Sequence, residues 1–143
     1  MPFEAGEPAY REGGVYVVIG GAGGLSEVWT EHLLRRCRAQ VVWIGRRAVD
    51  GSIAARIERL AALGPAPVYL QADAADGAAI EAARDAVLAR FGAIHGVVHA
   101  AIVLRDATLA NMDASTLRAA LLPKLDASVR MADAFGRLPL DFM

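Results

Sequence analysis

Four glycines in five positions, Gly20, Gly21, Gly23 and Gly24, follow the apolar run VYVVI (15–19) and precede a segment with helical spacing. Glycine there lets a backbone come close to a pyrophosphate, and a helix N-terminus adds unpaired N–H groups and a positive dipole end. The cluster fits two registers, G-x-G-x-x-[G] from Gly21 and G-x-x-x-G-x-[G] from Gly20, and both end on Ser26. Serine is a small polar choice at that point and can act as an N-cap. A plain strand-to-helix turn is the bland alternative. The second chemical signal is Gly45-Arg46-Arg47, at the end of the next apolar run, VVWIG. NAD sites and methyl-donor sites usually carry Asp or Glu there for the ribose hydroxyls. Guanidinium groups instead match a 2′-phosphate bidentately, so the dinucleotide expected is NADPH, and a methyltransferase is disfavoured. The alternative for Arg46 and Arg47 is a solvated loop pair.

Such groups need a scaffold that brings strand ends together. After a lead-in, residues 1–14, Val15–Ile19 reads as a buried strand. Ser26–Ala39 follows as a helix with Val28, Trp29, Leu33 and Leu34 on one face. Val41–Gly45 is a second strand, and Ile53–Leu63 a helix stopped by Gly64-Pro65. Pro67–Asp73 is a third strand, and Asp76 caps a helix through Arg90 with Ile80, Ala83, Val87 and Phe91 inward. Ile94–Ala100 makes a fourth strand. Apolar strands alternating with helices predict a parallel sheet covered on both faces, a Rossmann-like doubly wound α/β fold over residues 15–143. Pro123 inside the last helical stretch removes a backbone donor and predicts two segments, Ala114–Leu122 and Lys124–Gly136.

Composition sets the outer bounds. The chain has 143 residues, 55% of them hydrophobic, which suits one domain with a sizeable core and excludes intrinsic disorder. No apolar run approaches the roughly 20 residues that span a bilayer. The N-terminus MPFEAGEPAYREGG does not read as a signal peptide. A net charge of −1 with mixed signs leaves no nucleic-acid footprint. The single cysteine, Cys37, has no internal partner for a disulfide and suits a reducing cytoplasm.

The stretches GGVYVVIGGAGGL, VVWIGRR, LQAD, GVVHAA and PKLDAS, in this order, resemble the ketoreductase domain of modular polyketide synthases, within the short-chain dehydrogenase/reductase superfamily. The resemblance begins near Gly13. It implies NADPH-dependent reduction of a β-ketoacyl group carried on an acyl carrier protein. Position by position, it assigns Gly20, Gly23, Gly24 and Leu25 to the phosphate turn and Arg46, with Arg47, to the 2′-phosphate. Asp73 and Ala74 fall at the adenine contact, and His99, Ala100 and Ala101 along the cofactor ribose. Lys124 matches the lysine that supports the proton relay. Ile19, Ser26 and Ile102 depart from the family's usual threonine, glycine and glycine. Glu27 adds an acid that suits the helix dipole but opposes a bound pyrophosphate. Val103-Leu104-Arg105-Asp106 stands where the family carries a Leu-x-Asp signature, which implies a D-configured hydroxyl product.

Reduction also needs a proton donor for the developing alkoxide, a serine–tyrosine pair in this family. Tyr10, Tyr16 and Tyr69 do not match that position. The resemblance therefore implies that this stretch stops as the fifth strand begins and is inactive until the remaining half of the ketoreductase completes it. The competing class is a non-catalytic structural or docking domain of a synthase that binds no cofactor. No partner of nucleic acid or membrane type is expected.

Overall fold

The computed structural model describes residues 9–101 and 113–143. Ile102 and the Val103–Asp106 signature thus lie outside the described residues. The strands are β1 (Val15–Ile19), β2 (Gln40–Gly45), β3 (Val68–Gln71) and β4 (Gly96–His99). The helices are α1 (Gly24–Cys37), α2 (Gly51–Ala61), α3 (Gly77–Phe91) and α4 (Ala114–Phe135). The strands pair in parallel in the order β3-β2-β1-β4. In register, Val17 lies between Val42 and Val97, and Ile19 between Ile44 and His99.

Alternation along the strands splits the core in two. Val15, Val17 and Ile19 join Val42, Ile44 and Val97 under α3 and α4, through Ile80, Ala83, Val87 and Phe135. Tyr16, Val18, Val41 and Trp43 meet Leu33, Leu34 and Cys37 of α1 and Leu60 of α2. Helices therefore cover both faces, as a doubly wound fold requires. The chain steps outward from β1 to β3, then α3 carries it back across the sheet to β4. That reversal places a switch point between β1 and β4, where open α/β sheets leave a crevice at the strands' carboxyl ends. Beyond β4, Phe142 makes a parallel bridge to Gly96, and the Asp141 N–H donates to the His95 carbonyl at 2.7 Å.

Local chemistry sets the helix ends. Asp50 accepts from the Ile53 amide at 2.9 Å and from the Ser52 hydroxyl, so α2 starts ahead of the expected Ile53. Those two bonds, the hydroxyl first, hold the Asp50 carboxyl below the usual carboxylate range. Asp76 caps α3 as expected, accepting from the Ala79 amide, and Gly92 ends it with φ +79°. Two expectations need correction. Val28 is exposed, and the buried face of α1 is Ser26, Thr30, Leu33, Leu34 and Cys37. Val28 lies about 200° around the helix from Ser26, and hydrophobicity did not override that geometry. Pro123 does not divide the last helix, because α4 is continuous. A proline removes one donor, but the bonds of the flanking turns carry the helix past it.

Residues of the lead-in pack on the body. Tyr10 lies edge-on to Tyr16, Trp29 and Phe142, and the Tyr10 hydroxyl accepts from the Trp29 indole at 3.1 Å. Arg11 pairs bidentately with Asp141, which holds that carboxyl below its ordinary range.

Candidate functional site

The glycine turn is built on a buried polar chain. The Trp43 indole N–H donates to Thr30 Oγ1 at 2.9 Å, and the Thr30 hydroxyl donates to the Ser26 carbonyl at 2.7 Å. The Ser26 hydroxyl donates in turn to the Gly20 carbonyl at 3.3 Å. Ser26 is therefore not the N-cap; Gly23 stands at that position and Ser26 lies inside the first turn of α1, nearly fully buried. A glycine at 26 could not make this tie.

The glycines divide by role. Gly20 has φ +86°, and a Cβ there would sit 2.5 Å from the Ala101 backbone nitrogen. A Cβ on Gly21 would enter the Trp43 side chain. These two are required by the protein itself. Gly24 faces open space, and the nearest atom to a Cβ on Gly23 is the Gly20 carbonyl oxygen at 3.5 Å. These two leave room at the N-terminus of α1.

That room belongs to a cleft of about 650 Å³ at the carboxyl ends of the strands. Gly20, Gly23, Gly24, Leu25, Arg46, Arg47, Asp73, Ala74, His99, Ala100, Ala101 and Lys124, the residues singled out from sequence, all line it. Tyr69, Ala72, Asp126 and Ala127 line it as well and were not anticipated. Ala72, Asp126 and Ala127 lie within the stretches LQAD and PKLDAS but were given no role of their own, and only the approach of β3 and α4 puts them at the cleft.

The two arginines differ. Arg47 pairs with Asp50 at 3.2 Å, and its carbonyl accepts from the Tyr69 hydroxyl at 2.7 Å. The Arg46 carbonyl accepts from the Gln71 side-chain amide, and among the described residues its guanidinium makes no ion pair. Asp73 Oδ1 accepts from the Ala75 amide at 3.0 Å, a turn that leads into the Asp76 cap. Its second oxygen is not engaged there.

At the β4 end, His99 Nε2 is buried without a hydrogen-bond partner among the described residues. Burial, with a smaller contribution from the charge of Lys124, lowers the imidazole below its ordinary value and favours the neutral ring. The Glu27 side chain is mostly buried and pairs with Arg56 at 3.7 Å and with Arg59, so its charge is matched. Arg56 also donates to the Ala22 carbonyl at 2.5 Å. Nothing in the local sequence signals that contact, because α2 and the glycine turn are brought together only by the fold. Of the tyrosines, Tyr16 accepts from the Arg11 amide at 2.6 Å away from the cleft, and Tyr69 is committed to Arg47. Among the described residues no group of His, Cys, Asp and Glu could hold a metal ion, and no helix is long and apolar enough to cross a membrane.

Comparison with known proteins gives one consistent answer. A family model described as the KR domain matches residues 14–143. Polyketide synthase ThaG of Burkholderia thailandensis is 61% identical over 139 residues, which is 97% of this chain and 2% of that protein. Polyketide synthase PksN of Bacillus subtilis is 49% identical over 134 residues, 94% of this chain and again 2% of that protein. Among solved structures, a ketoreductase domain from the bacillaene assembly line superposes with a TM-score of 0.84 at 26% identity, covering 94% of this chain and 33% of that one. An N-terminal ketoreductase from the macrolactin assembly line gives 0.83 at 27% identity, covering 93% and 28%. The chain thus spans a small part of its curated relatives and about a third of the solved domains. It belongs to the ketoreductase (KR) domain family of polyketide synthases, of which it covers only part of the domain.

Proposed function

We propose that this chain holds NADPH for a polyketide synthase ketoreductase that reduces a carrier-bound β-ketoacyl thioester to the β-hydroxyacyl product. One observation carries the reading: an open glycine turn and Arg46, without an ion pair among the described residues, line the same cleft at the switch point of the sheet. The cleft's chemistry fits such a cofactor. Gly23, Gly24 and the first amides of α1 would receive the pyrophosphate, with the helix dipole behind them. Arg46 would take the 2′-phosphate, while Arg47, held by Asp50, borders the site. The second oxygen of Asp73, which has no hydrogen-bond partner among the described residues, would accept from the adenine amine beside Ala74. His99, neutral and with Nε2 unsatisfied, would donate to or accept from a ribose hydroxyl alongside Ala100 and Ala101.

NADPH supplies the hydride when bound. Lys124, on α4 at the same cleft, would support proton delivery to the new hydroxyl. The donor itself would come from the remaining part of the ketoreductase domain, so residues 1–143 alone are expected not to turn over. The partner class is an acyl carrier protein with its tethered β-ketoacyl group, in the cytoplasm.

Titration of the chain with NADPH and NADH tests the reading. Parent protein should favour NADPH by roughly tenfold, the scale of one charge-assisted contact at an exposed guanidinium, and Arg46→Ala should remove most of that preference. Equal affinity for both cofactors in the parent would sink the assignment of Arg46. No binding of either would favour a non-catalytic domain of a synthase.

A further inference from the structure

The glycine turn has little to hold it in place from within. Its internal backbone bonds are Gly23 N–H to the Gly20 carbonyl, at 3.3 Å, and Glu27 N–H to the Gly23 carbonyl, at 3.1 Å. Ala22, in the middle of the turn, is instead tied from outside. Arg56, on α2, donates from Nη1 to the Ala22 carbonyl at 2.5 Å while the same nitrogen lies 3.7 Å from Glu27 Oε2. One helical turn further along α2, Arg59 pairs with Oε1 of the same glutamate. Neither arginine lines the cleft. The Glu27 side chain is only 14% exposed, so water does little to screen its charge. It sits in the first turn of α1, where an anion would bind.

We propose that Arg56 is a positioning residue for the cofactor turn, fixing the Ala22 carbonyl, and that Arg56 and Arg59 together cancel the repulsion Glu27 would exert on a bound pyrophosphate. The acid can be kept at this helix end because α2 neutralises it from behind. In return, the shared glutamate locks α2 to α1, so the turn is set by two helices instead of one. The inference rests on the turn being a phosphate site, but the clamp is a property of the free protein too.

The full chain is therefore examined in two ways. Amide hydrogen exchange reports the turn without any ligand, and NADPH titration reports its use. Arg56→Ala should speed exchange of the Gly23 and Glu27 amides by roughly five- to twentyfold, the scale of one charge-assisted bond weakened by the partial exposure of the guanidinium, and leave Val17 and Val18 in the sheet unchanged. It should weaken NADPH by a similar factor, with Arg56→Lys recovering part of the loss. The double variant Arg56→Ala/Arg59→Ala should bind more weakly still, and adding Glu27→Gln should restore most of that further loss. Simple damage to the fold would not be repaired by a third substitution, so this rescue separates cancellation of charge from general destabilisation. Unchanged exchange in Arg56→Ala overturns the clamp, and failure of Glu27→Gln to rescue overturns the electrostatic role. If the parent binds no NADPH, the cofactor reading falls and the exchange measurement still decides the clamp.

Discussion

Thr30→Val tests the buried chain beneath the glycine turn. Thr30 and Trp43 both have 0% exposure, so no water can replace a lost partner. Valine fills nearly the same volume and removes only the hydroxyl. The Ser26 carbonyl keeps its helical amide partner, since residue 30 donates to residue 26 in an α-helix. The Trp43 N–H, 2.9 Å from Thr30 Oγ1 in the parent, loses its acceptor. An orphaned buried donor costs about 1–3 kcal/mol, and at this chain length each kcal/mol lowers Tm by roughly 2–4 °C. Trp43→Phe removes the donor and leaves a space where the larger ring was, so by itself it also destabilises. The informative quantity is the coupling. In the Trp43→Phe background, Thr30→Val should cost less than about 0.5 kcal/mol, because no donor is then left unsatisfied. Urea unfolding of the four proteins, fitted with a common m-value, measures the cycle. An equal cost of Thr30→Val in both backgrounds would show that the indole does not depend on this hydroxyl.

Gly20→Ala should destabilise by about 2–4 kcal/mol, from a positive φ and a Cβ forced against the Ala101 backbone; a Tm within a degree or two of the parent would contradict the geometry. The neutral His99 gives a pH dependence of definite sign. The unfolded ring takes up a proton near its ordinary value of about 6.5, while the folded ring resists until lower pH. Stability contributed here is therefore lost as pH falls through that window, and the loss levels off below the folded value. Urea midpoints at neutral and mildly acidic pH should fall more for the parent than for His99→Gln, and matching pH dependence in the two would refute the burial of a neutral ring.

The order of elements was legible in the sequence because each signal was local. Val15–Ile19 and Val41–Gly45 are apolar throughout, and strands of that kind need cover on both faces. Asp76 and Gly92 are strong start and stop residues, respectively, whatever surrounds them. The glycines and the Gly45-Arg46-Arg47 corner pointed to one end of the sheet for the same reason, since parallel strands bring their carboxyl ends together. What α1 buries was legible only in part: Leu33 and Leu34 were expected inward and are, but the polar half of the face was not. Its inward face contains Ser26 and Thr30, and these polar residues are tolerated only because the Trp43 N–H and the Gly20 carbonyl meet them across the fold. The continuity of α4 through Pro123 likewise depends on more than one residue's propensity. Tertiary structure also divided the paired signals. Asp50 claims Arg47 locally, three residues on, and leaves Arg46 to the cleft, whereas Arg56 and Arg59 reach Glu27 from another helix. Hydrogen bonds and ion pairs between elements are fixed by packing distances that no spacing along the chain encodes, and so the roles within each motif were settled only when the helices met.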